Sequence, residues 1–252
     1  MWLLLKLSIL SLILAVAGPA WGYQEEEVKD GGRLAGAVKF VGEVPKLAPV
    51  PVKKNLDVCG SQKPSEALIL GANRGLGSTV VYLEGVTKGK KAASREVVLD
   101  NAKCLFVPHV LAVMVEPPAI VRNSDPLLHD THGFMNKTTV FNLALPIQHQ
   151  KINIKAKLKR PGVVHVLCDA HTHMWAWMIV RDNPYFAVTD ETGGFTIDNI
   201  PPGKYKVVAW HEGWKATSRD KDGRIIYEPL RTIVKEVTIP ARGEATIEFE
   251  LK

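Results

Sequence analysis

Seven consecutive residues, Cys168-Asp169-Ala170-His171-Thr172-His173-Met174, place a thiolate, an imidazole and a thioether in one short stretch. Thiolate and thioether suit Cu(I), and imidazole suits both copper states, so Cys168, His171 and Met174 together favour copper. Zinc more often asks for a second Cys or His pair, and Met serves it poorly. A β pattern, Val163 to Leu167, runs into the stretch and another, Ala176 to Val180, leaves it. The stretch therefore reads as a tight loop joining two strands, with three ligands and one imidazole still to find.

A second histidine-bearing stretch follows a strand pattern at Ala119 to Asn123. It runs Asn123-Ser124-Asp125-Pro126-Leu127-Leu128-His129-Asp130-Thr131-His132 and reads as a loop. Either His129 or His132 can supply the missing imidazole. If His132 or His173 also binds, the centre becomes richer in histidine. His165 alternates with Val164 and Val166 and should face away from Cys168. His109 reads as structural, and His149 and His211 as surface or packing residues.

The elements that position these residues read as strands throughout. Strand patterns run over Leu34 to Val41, Ser78 to Leu83, Glu96 to Leu99, Val110 to Val115 and Thr138 to Leu145. Lys151 to Leu158 alternates Ile152, Ile154, Ala156 and Leu158 with polar residues, the period of a half-buried strand. Val86 to Ser94, with three lysines, reads as an exposed loop. After Asn183-Pro184, strands are expected at Tyr185 to Asp190, Phe195 to Asp198, Lys204 to His211, Ile233 to Ile239 and Glu244 to Leu251, with a long polar excursion at Gly213 to Leu230. No amphipathic helix of useful length is found. Short strands parted by Gly/Pro turns predict an all-β chain of two β-sandwiches.

The 252 residues are 46% hydrophobic and 23% charged, enough for a sizeable core. The formal net charge of +6 includes Lys6, and the cations are scattered among acids, so a nucleic-acid partner is not expected. Residues 1–22 read as a secretory signal: a weakly positive start, an apolar run from Leu7 to Ala17, then Gly18-Pro19 and small residues. Cleavage would leave an exported chain, periplasmic or secreted, with no stable membrane span. Export is oxidising. With Cys168 claimed by the loop, Cys59 and Cys104 are predicted to form a disulfide, the alternative being two buried thiols.

Here the residues resemble a known family. Phe106 to Val113, then Val121-Arg122-Asn123 and His129, are similar to the first half of a cupredoxin, a Greek-key sandwich. The strand into Cys168-x-x-His171-x-x-Met174 resembles the short copper loop of amicyanin-like members. The resemblance implies one copper ion held by His129, Cys168 and His171 in a plane, with Met174 as a weak axial ligand. It departs at Asp130, where many members carry an Asn that ties the two ligand loops together. The tail from Thr189 to Val207 resembles a carboxypeptidase regulatory-like, prealbumin-like sandwich, whose usual opening strand is similar to Gly31 to Pro45. The implied domains are N-terminal strands in 31–84, a cupredoxin-like copper domain in 95–182 and a regulatory-like domain in 185–252. The copper domain is expected to be inserted into the second sandwich, with two tandem sandwiches as the alternative.

The function these resemblances imply is single-electron transfer between redox partners such as a c-type cytochrome. A carbohydrate- or surface-binding module and a copper storage or delivery protein are the alternatives. Enzymatic activity is not expected: there is no Gly-x-Ser-x-Gly elbow, no second Cys for a binuclear copper loop and no peptidase zinc signature. Trp175, Trp177 and Trp210 read as packing between sheets or domains. The lysines at 151, 155 and 157 read as a solvated strand face.

Overall fold

A computed structural model describes residues 22–252; the leader reading falls almost wholly on residues outside that range. The principal strands, in chain order, are β1 (Gly32–Phe40), β2 (Val80–Leu83), β3 (Val97–Ala102), β4 (Leu105–Val107), β5 (Val110–Met114), β6 (Ala119–Asn123) and β7 (His129–Met135). They continue as β8 (Thr138–Leu145), β9 (Lys151–Asn153), β10 (Gly162–Cys168), β11 (Trp175–Arg181), β12 (Phe186–Val188) and β13 (Gly194–Ile200). The last are β14 (Gly203–His211), β15 (Ala216–Arg219), β16 (Ile225–Tyr227), β17 (Arg231–Ile239) and β18 (Glu244–Leu251). One α-helical turn, α1, spans Leu56–Cys59. The chain is all-β, and no helix among the described residues is long and apolar enough to cross a membrane.

The strands form two sandwiches. In the first, a sheet ordered β9-β6-β3-β4 faces a sheet ordered β8-β7-β10-β11-β5. In the second, β12-β2-β14-β17 faces β13-β1-β18. The second is built from both ends of the described chain: β1 pairs in parallel with β18 from Arg33 opposite Glu244 to Phe40 opposite Leu251. Each sandwich has its own apolar core. A small third cluster of Val80, Val110, Ile179 and Trp210 joins them, with the Trp177 and Trp210 rings 5.7 Å apart.

Register places the candidate ligands. Thr131 on β7 lies opposite Cys168 on β10. Period-two alternation turns Val164, Val166 and Cys168 inward with His129 and Thr131. Gly162 opens β10 at φ 152, where a Cβ would meet the Met135 sulfur at 2.8 Å.

Four expectations need correction. Lys151 to Leu158 is a strand only to Asn153. The Asn153 side chain then accepts the Lys155 N–H at 2.8 Å and turns the chain into a 3-10 turn, with Ile154 and Leu158 buried. His129 to His132 lies in strand β7, whose pairing on both sides outweighs the polar composition that suggested a loop. Within Val86 to Ser94, Lys88–Gly89 pairs with Gln24–Glu25, and Val86 is buried. The excursion at 213–230 contains the β15–β16 hairpin.

Candidate metal centre

His129, Cys168 and His171 meet at one end of the first sandwich, all buried, with one donor atom from each within 4.8 Å of the others. The Cys168 sulfur lies 3.7 Å from Nδ1 of His129 and 3.7 Å from Nδ1 of His171. Each imidazole is held through its other nitrogen. His129 Nε2–H donates to the Asp125 carboxylate at 2.9 Å, and His171 Nε2–H donates to the Asn55 side-chain oxygen at 2.9 Å. These bonds fix tautomer and ring orientation, so that both Nδ1 lone pairs face the sulfur.

The supports are themselves anchored. The Asp125 carboxylate accepts the backbone N–H groups of Lys103 and Cys104, each at 2.7 Å, in the turn between β3 and β4. Cys104 is bonded to Cys59 of α1, with Cα atoms 5.5 Å apart. Asn55 caps α1 in the left-handed region, φ 53, which its short polar side chain tolerates. The disulfide therefore holds α1, and with it the Asn55 oxygen, over His171.

The loop closes on itself. Met174 N–H donates to His171 O at 3.0 Å and Cys168 N–H to Met174 O at 3.3 Å, with the Met174 side chain fully buried. Asp130 N–H points at the Cys168 sulfur at 3.4 Å, and Asp169 N–H donates to Asp130 O at 3.2 Å. The tie between the ligand segments is thus made by main chain. The Asp130 Oδ1 atom is buried without a partner, and burial, followed by repulsion from Asp169, raises that carboxyl's pKa.

Of the other histidines, His132 faces the opposite side of β7 and pairs with Asp169 at 2.7 Å and Thr139 at 2.9 Å. His173 is buried but donates to Cys104 O at 3.1 Å, outside the donor cluster. Burial pushes His171 down to about 4, helped by repulsion from His129, and pushes His173 down to about 4. Burial opposes the charged form of His129 too, but the bonds to Asp125 and Cys168 outweigh it and hold its pKa above the ordinary value. For Asp125, burial is likewise outweighed, by His129 and the two backbone donors, and its pKa is lowered.

A second buried polar cluster lies on the far side of β11. The Glu212 carboxylate contacts His109 Nε2 and accepts the Trp175 and Trp177 indole N–H groups at 3.0 and 2.9 Å. Next to it is a cavity of about 310 Å³, lined among others by Met174, Trp175, Trp177 and Tyr227. Sequence reasoning missed Asp125, Asn55 and Glu212 in these roles. A signal existed for the first, an acid four residues before a candidate ligand; Glu212 directly follows β14 and shows nothing until the two sandwiches meet.

A domain family described as polysaccharide lyase family 4, domain II, matches residues 170–226, well under half of the chain. No curated protein matches it. Among solved structures, a copper-containing nitrite reductase from Thermus scotoductus SA-01 is 18% identical over 36% of this chain and 24% of its own, with a TM-score of 0.30. A reduced Cu(I) amicyanin variant at pH 4 is 17% identical over 36% of this chain and 87% of its own, with a TM-score of 0.30. Amicyanin from Paracoccus versutus is 13% identical over 40% of this chain and 97% of its own, with a TM-score of 0.30.

Proposed function

We propose that this protein is an exported carrier of single electrons, holding one copper ion on His129, Cys168 and His171 with Met174 as a fourth, weaker ligand. The observation that carries the reading is the pair of Nδ1 atoms, each 3.7 Å from one buried thiol and each fixed from behind by a hydrogen bond. Two imidazoles, a thiolate and a thioether fit copper better than zinc by donor type. Copper there supplies a one-electron couple. The protein's part is to keep the donors still: two paired strands, a self-bonded loop and two anchored imidazoles leave little to reorganise when charge changes. Burial excludes water from the thiol. A redox protein such as a c-type cytochrome is the expected partner.

The test is the visible absorption and EPR spectrum of the chain titrated with Cu(II), beside Cys168→Ser. An intense thiolate-to-copper band with narrow copper hyperfine coupling, lost in the variant, is expected. Weak, nitrogen-rich binding indifferent to Cys168 defeats the reading.

A second reading has its own observation. The family match at 170–226 spans Trp175 and Trp177, which with Tyr227 wall the cavity beside the loop. Carbohydrate binding there would persist in Cys168→Ser and fall in Trp177→Ala on a glycan array; equal signals from Trp177→Ala and the parent chain reject it.

A further inference from the structure

His129 has two nitrogens, and the proposed centre uses only one. On its Nε2 side the Asp125 Oδ2 atom lies at 2.9 Å. One donor atom from each of Cys104, Asp125 and His129 falls within 4.8 Å of the others, and all three residues are buried. Cys104 cannot ligate as it stands, because its sulfur is bonded to Cys59. In the disulfide form this cluster lacks its thiolate donor.

We propose that reduction of Cys59–Cys104 opens a second metal site on Cys104, Asp125 and His129, suited to Zn²⁺. One thiolate, one imidazole and one carboxylate match the donors zinc accepts, with a fourth position left for water or the freed Cys59. No thioether lies in this set, which parts it chemically from the Cys168 set. The site is prearranged from three directions. Asp125 is fixed by the N–H groups of Lys103 and Cys104, Cys104 sits in the β3–β4 turn, and His129 opens β7.

The step balances with a phosphine as reductant. The disulfide takes two electrons and becomes two thiols, the phosphine takes the oxygen of a water molecule, and that water supplies the two thiol protons. Zinc binding then releases the Cys104 thiol proton and replaces the His129 Nε2 proton now shared with Asp125. The same reduction unties α1, so Asn55 is no longer held over His171 by a covalent bond. Because His129 serves both clusters, the redox state of the disulfide would bias which metal the chain holds.

The experiment uses the Cys168→Ser chain, which removes the copper thiolate and separates this inference from the proposed function. Zn²⁺ is titrated against a chromophoric chelator before and after treatment with tris(2-carboxyethyl)phosphine. The expected result is about one additional equivalent of tightly held zinc after reduction, absent when Cys104→Ser or Asp125→Ala is added. To separate zinc binding from any loosening of the fold on reduction, Cys59→Ser in the same background, which frees Cys104 without reductant, is titrated in parallel with its circular dichroism recorded. A folded Cys59→Ser chain that gains no zinc overturns the proposal, as does a gain on reduction that survives Cys104→Ser.

Discussion

Two buried histidine clusters flank the sheet that carries β10 and β11, and they are finished differently. Around Glu212 one carboxylate serves His109 Nε2, Trp175 and Trp177, while His109 Nδ1 is buried 3.8 Å from the Glu66 carboxylate without a hydrogen bond. Burial works against the His109 imidazolium, yet Glu212 and Glu66 outweigh it and its pKa is raised. In that cluster three donors converge on one carboxylate. Around Cys168, the outer nitrogens of two imidazoles are satisfied while their inner nitrogens converge on a thiol at 3.7 Å. The Glu212 network joins β11 to the segment after β14, whereas a converging set of lone pairs could hold a metal ion. Both are buried; the direction in which lone pairs point separates them.

The largest expected effect comes from breaking the Glu212 cluster. Glu212→Leu leaves the buried His109 Nε2 and two indole N–H groups without their carboxylate partner and should cost about 3–5 kcal/mol of stability. Denaturant midpoints of the metal-free chain measure it, and a loss below about 1 kcal/mol would show that the sandwiches do not depend on the cluster. Asp125→Asn acts on the other side, by weakening the anchor behind His129. Copper affinity, read by chelator competition, should drop roughly 10–100-fold, while an unchanged affinity would remove Asp125 from the metal's support.

A pH titration sharpens the contrast. Burial pushes His165, stacked on Trp177, down to about 4. A base whose folded pKa is depressed stabilises the fold above its unfolded value, about 6.5, and loses that contribution as pH falls toward 4. His109 behaves oppositely: its contribution is complete below about 6.5 and fades as pH rises through its raised folded value. His165→Phe should therefore flatten the acid-side stability curve between those limits by at most about 1.4 kcal/mol per pH unit. A curve that keeps the parent's slope would assign that loss to other groups. Smallest is Asn55→Ala, which removes the cap from His171. A decrease of about 1 kcal/mol in stability and a few-fold decrease in copper affinity are expected, and a variant that gains affinity would show the cap to be restrictive.

Much of this was legible in the chain. Period-two alternation and Gly/Pro punctuation indicated the strands, and the chemistry of Cys168, His171 and Met174 pointed to a soft metal. The pattern failed where a local hydrogen bond overrode it, as when the Asn153 side chain turned an alternating run into a 3-10 turn. It also failed where pairing overrode composition: His129-Asp130-Thr131-His132 looks like a loop and is held as a strand by neighbours on both sides.

The sequence alone determined the all-β class, the loop and which residue types could meet a metal, because strand periodicity and ligand chemistry are properties of neighbouring residues. Only the tertiary structure places His129, and not His132, beside Cys168, since that depends on which face of β7 meets Cys168 in the paired register. It alone placed Asn55 behind His171, 116 residues away, and Glu212 beneath Trp177, 35 residues away. Partners so distant along the chain leave no local period, and they become visible only when two sheets close over them.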